Sequence, residues 1–156
     1  MNYLGRLDVE MLTPSLEDYL EEVYRFSLTT ENIRVTDLSN KLAVSMPSVS
    51  KALMRLKEKE YILYQPYGAI ELTNKGKKLG SFLVERNRLL QDFLFLICAR
   101  CDIAAEAEAM EHYLSKETIE ALQALVKYIK NKPELYHEFQ MYMKDEARRT
   151  IPLLDE

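Results

Sequence analysis

The stretch from Ile33 to Leu72, IRVTDLSNKLAVSMPSVSKALMRLKEKEYILYQPYGAIEL, constrains the fold more tightly than any other part of the chain. It holds two short runs with helical spacing, joined by a tight turn. The first run is expected to start from an N-cap at Thr36 and to bury Leu38 and Leu42. The second starts from a cap at Ser45 and buries Val49, Ala52, Leu53 and Leu56. Two β-rich tetrapeptides follow, Tyr61 to Tyr64 and Ala69 to Leu72, with Pro66, Tyr67 and Gly68 as turn chemistry between them. Helix, turn, helix and hairpin in that order make a winged helix-turn-helix. With the apolar stripe of the second helix turned inward, Pro47, Ser50, Lys51, Met54 and Arg55 face outward. These small, hydroxyl and cationic groups can enter a major groove of double-stranded DNA and meet bases and phosphates. Thr36, Ser48 and, at the tip of the wing, Tyr67 complete the candidate DNA-binding set.

A net charge of −4 over 156 residues opposes such a role only until the charge is divided along the chain. Residues 33 to 88 hold eleven Lys and Arg against five Asp and Glu, a surplus of six that leaves a deficit of ten elsewhere. A basic segment suits phosphates, and an acidic remainder limits non-specific adhesion or holds cations. With 47 % hydrophobic residues the chain can bury a core, and no apolar run is long enough to span a bilayer. The first residues lack the basic and apolar regions of a signal peptide, so a cytoplasmic protein with no membrane partner is expected. The two cysteines, Cys98 and Cys101, are spaced C-x-x-C but lack the further ligands of a structural zinc site. They read as reduced bystanders, with redox sensing or an adventitious metal as the alternative.

The organisation that follows is mainly α with a small β-hairpin. Residues 1–12 form an N-terminal arm without periodicity, 13–73 the winged domain, and 74–156 a helical domain for metal binding and dimerisation. Thr13 and Pro14 open a first helix that buries Leu16, Leu20, Val23 and Tyr24. After the wing, Thr73 caps a connector helix over 74–97, basic at its start and apolar later (Leu79, Phe82, Leu83, Leu89, Leu90, Phe93, Leu94). Its length exceeds what the small domain needs, which suits a dimer interface and hence a homodimer. A helix from Ile103 to Leu114 comes next. Ser115 then caps a helix burying Ile119, Leu122, Leu125, Val126 and Ile129, and a last helix runs from Glu134 to about Thr150 with Leu135, Tyr136, Phe139 and Met143 as its apolar side. His137 in that helix has no motif around it.

Asp18 and Glu21 stand three apart on the first helix, where carboxylates near a helix start are also an ordinary solvated face. Glu108, Glu111 and His112 stand at i, i+3 and i+4 on the helix after the connector. If the two helices touch, four carboxylates and one imidazole form a set for a hard or borderline divalent ion such as Mn²⁺ or Fe²⁺, better than for copper or structural zinc. A di-iron carboxylate enzyme would need Glu-x-x-His on two helices, but Ala109 stands three before His112 and there is no second copy. No enzyme and no small-molecule substrate are expected.

The segments TPSLEDYLEEVY, VTDLSNKLAVSMPSVSKALMRLKEKEYILY, LTNKGKKLG and EAMEHYLS, in that order between Leu12 and Tyr128, resemble the diphtheria-toxin-repressor family of metalloregulators, more closely its manganese transport regulator branch. The resemblance implies a homodimeric, metal-dependent repressor of metal-ion uptake genes, bound to a palindromic operator. It implies metal held between the first helix and the dimerisation region by Asp18, Glu21, Glu108, Glu111 and His112. The iron-responsive branch tends to show Met at the position of Asp18 and Cys at that of Glu108, so Mn²⁺ is the expected cofactor, with Fe²⁺ or another divalent cation as alternatives. One departure concerns Asn87, which stands where the family places a histidine ligand, while Gln91 replaces a carboxylate. Asn87 can offer a neutral carbonyl oxygen. The alternative reading is therefore a metal-independent or altered-specificity winged-helix regulator with a degenerate metal site.

Overall fold

A computed structural model of the chain describes residues 12–66 and 68–149, the side chains of 147–149 excepted. The N-terminal arm through Met11, the wing residue Tyr67 and the end of the last helix at Thr150 lie outside the described residues. The elements are α1 (Pro14–Ser27), α2 (Val35–Leu42), α3 (Met46–Glu58), β1 (Ile62–Tyr64), β2 (Ile70–Leu72), α4 (Asn74–Leu96), α5 (Ile103–Glu111), α6 (Lys116–Lys130) and α7 (Pro133–Arg149). Two compact units part between Val84 and Glu85, inside α4. That point lies later than the start of α4, where the sequence changes composition, because Leu79 and Leu83 from the helix's first half belong to the first core.

The first unit is built on one apolar cluster. Leu16, Leu20 and Val23 of α1, Leu38 of α2, Val49, Leu53 and Leu56 of α3 and Ile62 and Ile70 of the hairpin are all buried in it. Tyr19 is also in this core, whereas Tyr24 is half-buried. β1 and β2 pair antiparallel with Leu63 opposite Glu71, and both of these side chains face solvent while their neighbours alternate inward. An isolated bridge from Ile33 to Ile70 ties the entry to α2 to the hairpin.

The cap of α2 differs from expectation. Thr36 lies inside the helix; Arg34 is the N-cap residue, and the Asp37 carboxylate accepts its backbone N–H at 2.9 Å. Ser and Thr are the usual caps, but an acid three residues on can satisfy the same orphan donor from inside the helix. The turn into α3 is held by Ala43 in the left-handed region (φ 53°), with the Val44 N–H on the Ser39 carbonyl at 3.1 Å and the Ser39 hydroxyl on the Val44 carbonyl at 2.6 Å. Ser45 does cap α3, accepting from the Ser48 N–H at 3.3 Å.

The second unit has its own core of Leu90, Leu94, Ala107 and Ile119. The Asp102 side chain caps α5 through the Ala105 N–H at 3.1 Å, and Ser115 caps α6 through the Thr118 N–H at 3.3 Å. At that α6 start the Glu117 carboxyl is held below its ordinary value, first by its own backbone N–H and then by the Ser115 hydroxyl. α5 ends at Glu111 instead of running to Leu114, because the Tyr113 N–H turns to the Met110 carbonyl at 3.1 Å. Pro133 opens α7, a position where its missing N–H is no loss. Ile119 and Val126 of α6 are buried as expected, but Leu125 is 43 % exposed, and Leu135 and Phe139 of α7 lie largely open. Among the described residues nothing covers this apolar side completely.

Gly76, in the first turn of α4, is required by close approach. A Cβ there would lie 1.9 Å from the Tyr61 carbonyl oxygen, a backbone atom held by the Thr73 N–H at 3.1 Å and the Thr73 hydroxyl at 3.0 Å. In an open helix Gly→Ala stabilises by about 1 kcal/mol. Here Gly76→Ala is expected to reverse that sign and destabilise by about 2 to 3 kcal/mol. A thermal midpoint equal to or above that of wild type would show that α4 does not approach the hairpin in this way.

Candidate DNA-binding face and metal ligands

In the first unit, α3 turns Val49, Ala52, Leu53 and Leu56 inward, and its other side is open. Pro47, Ser48, Lys51, Met54 and Arg55 are exposed and Ser50 is half-buried. Thr36, exposed at the second position of α2, opens towards the same side, because Thr36, Pro47, Ser50 and Met54 all line one cleft of about 920 Å³. Tyr64 and Gly68 of the hairpin and Arg34 are also among its lining residues. Its cationic member Arg34 was not among the expected contacts. The signal for it lay in a lone arginine directly before the helical run of α2, where a helix N-terminus and a guanidinium both favour a phosphate. Lys75, by contrast, is drawn to its own domain: its ammonium donates to the Lys59 carbonyl at 2.9 Å and sits 4.4 Å above the Tyr61 ring.

On α1 the two candidate carboxylates differ in setting. Asp18 is half-buried, whereas Glu21 is buried and paired with Arg25 one turn on at 2.5 Å, while Arg25 also reaches Glu22 at 3.5 Å. Glu21 therefore does not belong to a solvated face.

In the second unit three of the expected residues converge. Ala107 and Glu111 lie one turn apart on the inner side of α5, and Glu111 is 2 % exposed. Its Oε2 accepts from the Asn87 Nδ2 at 3.1 Å, and its Oε1 lies 3.7 Å from the Nε2 of His112 and 3.8 Å from a guanidinium nitrogen of Arg86. Asn87 in turn accepts from the Gln91 Nε2 at 2.7 Å. His112 is the C-cap residue of α5, still in right-handed helical conformation, which keeps its ring beside Glu111 although the helix has ended. Glu108 is not part of this group and is exposed, one turn earlier on the outer side of α5. Arg86 was not anticipated: a cation inside an apolar connector pattern signals a buried acid nearby only once its neighbour is known. The donors fit a divalent ion. A carboxylate oxygen and an imidazole nitrogen 3.7 Å apart can share one ion, since two ligand bonds of about 2.2 Å span up to about 4.4 Å.

Residues 11–70 match the model of the iron dependent repressor N-terminal DNA binding domain, and residues 73–139 that of the iron dependent repressor metal binding and dimerisation domain. An HTH-type transcriptional regulator MntR from Bacillus velezensis is 37 % identical over 135 residues, covering 86 % of this chain and 95 % of the relative. This chain belongs to the iron dependent repressor family. A second MntR, from Bacillus subtilis, is 40 % identical over 119 residues, 76 % of this chain and 84 % of the relative. The solved structure of the manganese regulator SloR is similar with a TM-score of 0.66 at 33 % identity, covering 75 % of this chain and 55 % of that one. The apo form of the manganese-activated repressor ScaR gives 0.60 at 29 %, covering 71 % and 54 %. The chain thus spans about half the length of these solved neighbours. As a member of the family it is a metal-dependent, DNA-binding transcriptional repressor and not an enzyme. It joins a winged DNA-binding domain to a metal-binding domain through which two copies associate. Among the described residues no helix is long and apolar enough to cross a membrane.

Lys51→Ala and Arg55→Ala are each expected to weaken binding to a DNA duplex selected from random sequence by the wild-type protein. Each should flatten the salt dependence by about one unit of log slope if it removes one phosphate contact. Unchanged affinity and slope in both variants would mean that another face of α3 meets the DNA.

Proposed function

We propose that this chain is a manganese-responsive repressor that acts in the cytoplasm as a homodimer on a palindromic operator and controls genes of metal-ion uptake. The observation that carries the reading is the pairing of the buried Glu111 carboxylate with the His112 imidazole at 3.7 Å. A mixed oxygen and nitrogen set without thiolate suits Mn²⁺ or Fe²⁺. Cys98 and Cys101 take no part in it. Glu111 and His112 would hold the ion with Asp18 of α1, and Glu21 and Glu108 are the further carboxylates within this proposed set. Arg25 engages the Oε1 of Glu21, so Glu21 would join through its other oxygen or by releasing Arg25. The bound ion supplies positive charge that lets carboxylates converge which would otherwise repel. Asp18 belongs to the DNA-binding unit and Glu111 and His112 to the other. Their joint ligation would restrict the spacing of the two recognition helices of a dimer to the one-turn separation, about 34 Å, that successive major-groove half-sites require. Metal then favours the operator-binding population only in proportion to its preference for that state.

The dimer reading is supported by the open apolar side of α6 and α7, where Leu125, Tyr128, Leu135, Phe139 and Tyr142 are exposed. A cluster of this kind marks an interaction surface. Leu125→Asp with Phe139→Asp is expected to convert the protein to a monomer in sedimentation velocity, and a persistent dimer would place the interface elsewhere.

With Mn²⁺, operator affinity is expected to exceed that in chelator by about a hundredfold, or about 2.7 kcal/mol. Glu111→Gln and His112→Ala should each remove most of that difference and lower Mn²⁺ affinity by about a hundredfold or more, since even changes outside the ligand sphere lower it by about ten- to a hundredfold. Equal operator binding with and without chelator in the wild type would instead favour a constitutive regulator.

A further inference from the structure

The side chains behind Glu111 form a directed chain: the Gln91 Nε2 donates to the Asn87 Oδ1 at 2.7 Å, and the Asn87 Nδ2 donates to the Glu111 Oε2 at 3.1 Å. The direction follows from the end group. An ionised carboxylate can only accept, so the NH₂ of Asn87, and not its carbonyl, must face Glu111. Asn87 and Gln91 are one turn apart on α4, so the second amide naturally covers the first. For the Asn87 oxygen to ligate a cation at Glu111 the amide would have to turn over. That rotation sets its Oδ1 against a carboxylate oxygen and its NH₂ against the donor of Gln91, and both hydrogen bonds are lost.

We infer that Asn87 is a positioning residue and not a metal ligand: held in direction by Gln91, it occupies Oε2 of Glu111, so that Glu111 offers a single oxygen to one ion per chain. The inference rests on the reading of Glu111 and His112 as ligands. Its consequence is specificity. Ca²⁺ favours six to eight oxygen donors at about 2.3 to 2.6 Å and gains from carboxylates that bind through both oxygens. A Glu111 confined to one oxygen beside an imidazole disfavours Ca²⁺ and leaves the smaller, nitrogen-tolerant Mn²⁺ and Fe²⁺. Gln91 acts in the same sense through Asn87, at one remove.

The test is calorimetric titration of the full-length protein with Mn²⁺ and, separately, with Ca²⁺, for wild type, Asn87→Leu, Gln91→Leu, the double variant and Glu111→Gln. Wild type should bind one Mn²⁺ per chain. Asn87→Leu should keep that stoichiometry, lose about tenfold in Mn²⁺ affinity and narrow the ratio of Mn²⁺ to Ca²⁺ affinity by about tenfold, the order expected for groups that orient a ligand. Gln91→Leu should shift the ratio in the same direction by less, and the double variant should match Asn87→Leu, since Gln91 has no other route to the ion. Thermal melting of the chelated proteins reports whether each variant folds. If Asn87→Leu does not, Gln91→Leu, half-buried and tolerant of an apolar side chain, decides alone. Two ions in wild type falling to one in Asn87→Leu would make Asn87 a ligand and overturn the inference, as would an unchanged ratio in the variants that fold. Undiminished Mn²⁺ binding in Glu111→Gln would locate the failure in the ligand assignment itself.

Discussion

A carboxylate that is 2 % exposed must be compensated where it lies, and the arrangement of the second unit around Glu111 follows from that requirement. The helices that enclose it offer apolar side chains on most of their inner surface, with Leu90, Leu94, Ala107 and Ile119 as the core. The polar groups of α4 that meet it are Arg86 and Asn87, with Gln91 one turn later holding Asn87. Pairing Glu111 with that place fixes both the rotation of α5 about its axis and its register along α4. A slip of one residue would bring Met110 to the amide and leave the carboxylate against leucines. The same contact aims His112, because the ring follows Glu111 directly and the chain there has not yet left helical conformation.

The first unit solves a different problem, that of presenting a cationic surface without losing rigidity beneath it. Val49, Leu53 and Leu56 are fully buried, so α3 cannot roll, and its open side keeps Lys51 and Arg55 available. The hairpin is only three residues on each strand and would not persist alone. It is held from both ends, by the bridge from Ile33 to Ile70 and by the two hydrogen bonds of Thr73 to the Tyr61 carbonyl, which the missing side chain of Gly76 leaves room for. Acidic residues concentrated outside residues 33–88 lower the attraction to arbitrary DNA, so that contacts made by the cleft weigh more in the total.

Much of this was legible in the residues. Period 3.6 with caps at Ser45, Thr73 and Ser115 located three helix starts, and turn chemistry at Pro66 and Gly68 located the hairpin. What escaped depended on partners. Thr36 has the chemistry of a cap, but Asp37 reaches the Arg34 N–H first. Glu108, Glu111 and His112 share a face by angle, yet Glu108 is exposed and Glu111 buried, because spacing gives the direction of a side chain and not the depth of the neighbour it meets. Leu125 has helical phase with Ile119 and Val126, but among the described residues they are buried and it is exposed. Glu21 was indistinguishable from a solvated acid until Arg25 was seen against it.

The threshold at which a metal sensor responds depends on the ion-free state as much as on the bound one. A bare cluster of carboxylates gains the whole of its relief from repulsion when a cation arrives. Glu111 starts from a lower level, since an amide N–H and a guanidinium already stand beside its two oxygens. What the guanidinium contributes without metal is subtracted from the affinity for metal, because only the difference between the two states appears in binding, whereas the Asn87 hydrogen bond to Oε2 is kept in both. An imidazole at position 87 would stand on the other side of this balance, adding a donor to the bound state. Under the proposed ligand set the asparagine orients Glu111 without adding a donor, so this chain would respond at a higher metal concentration than one with histidine at position 87, with Glu111 and His112 in place.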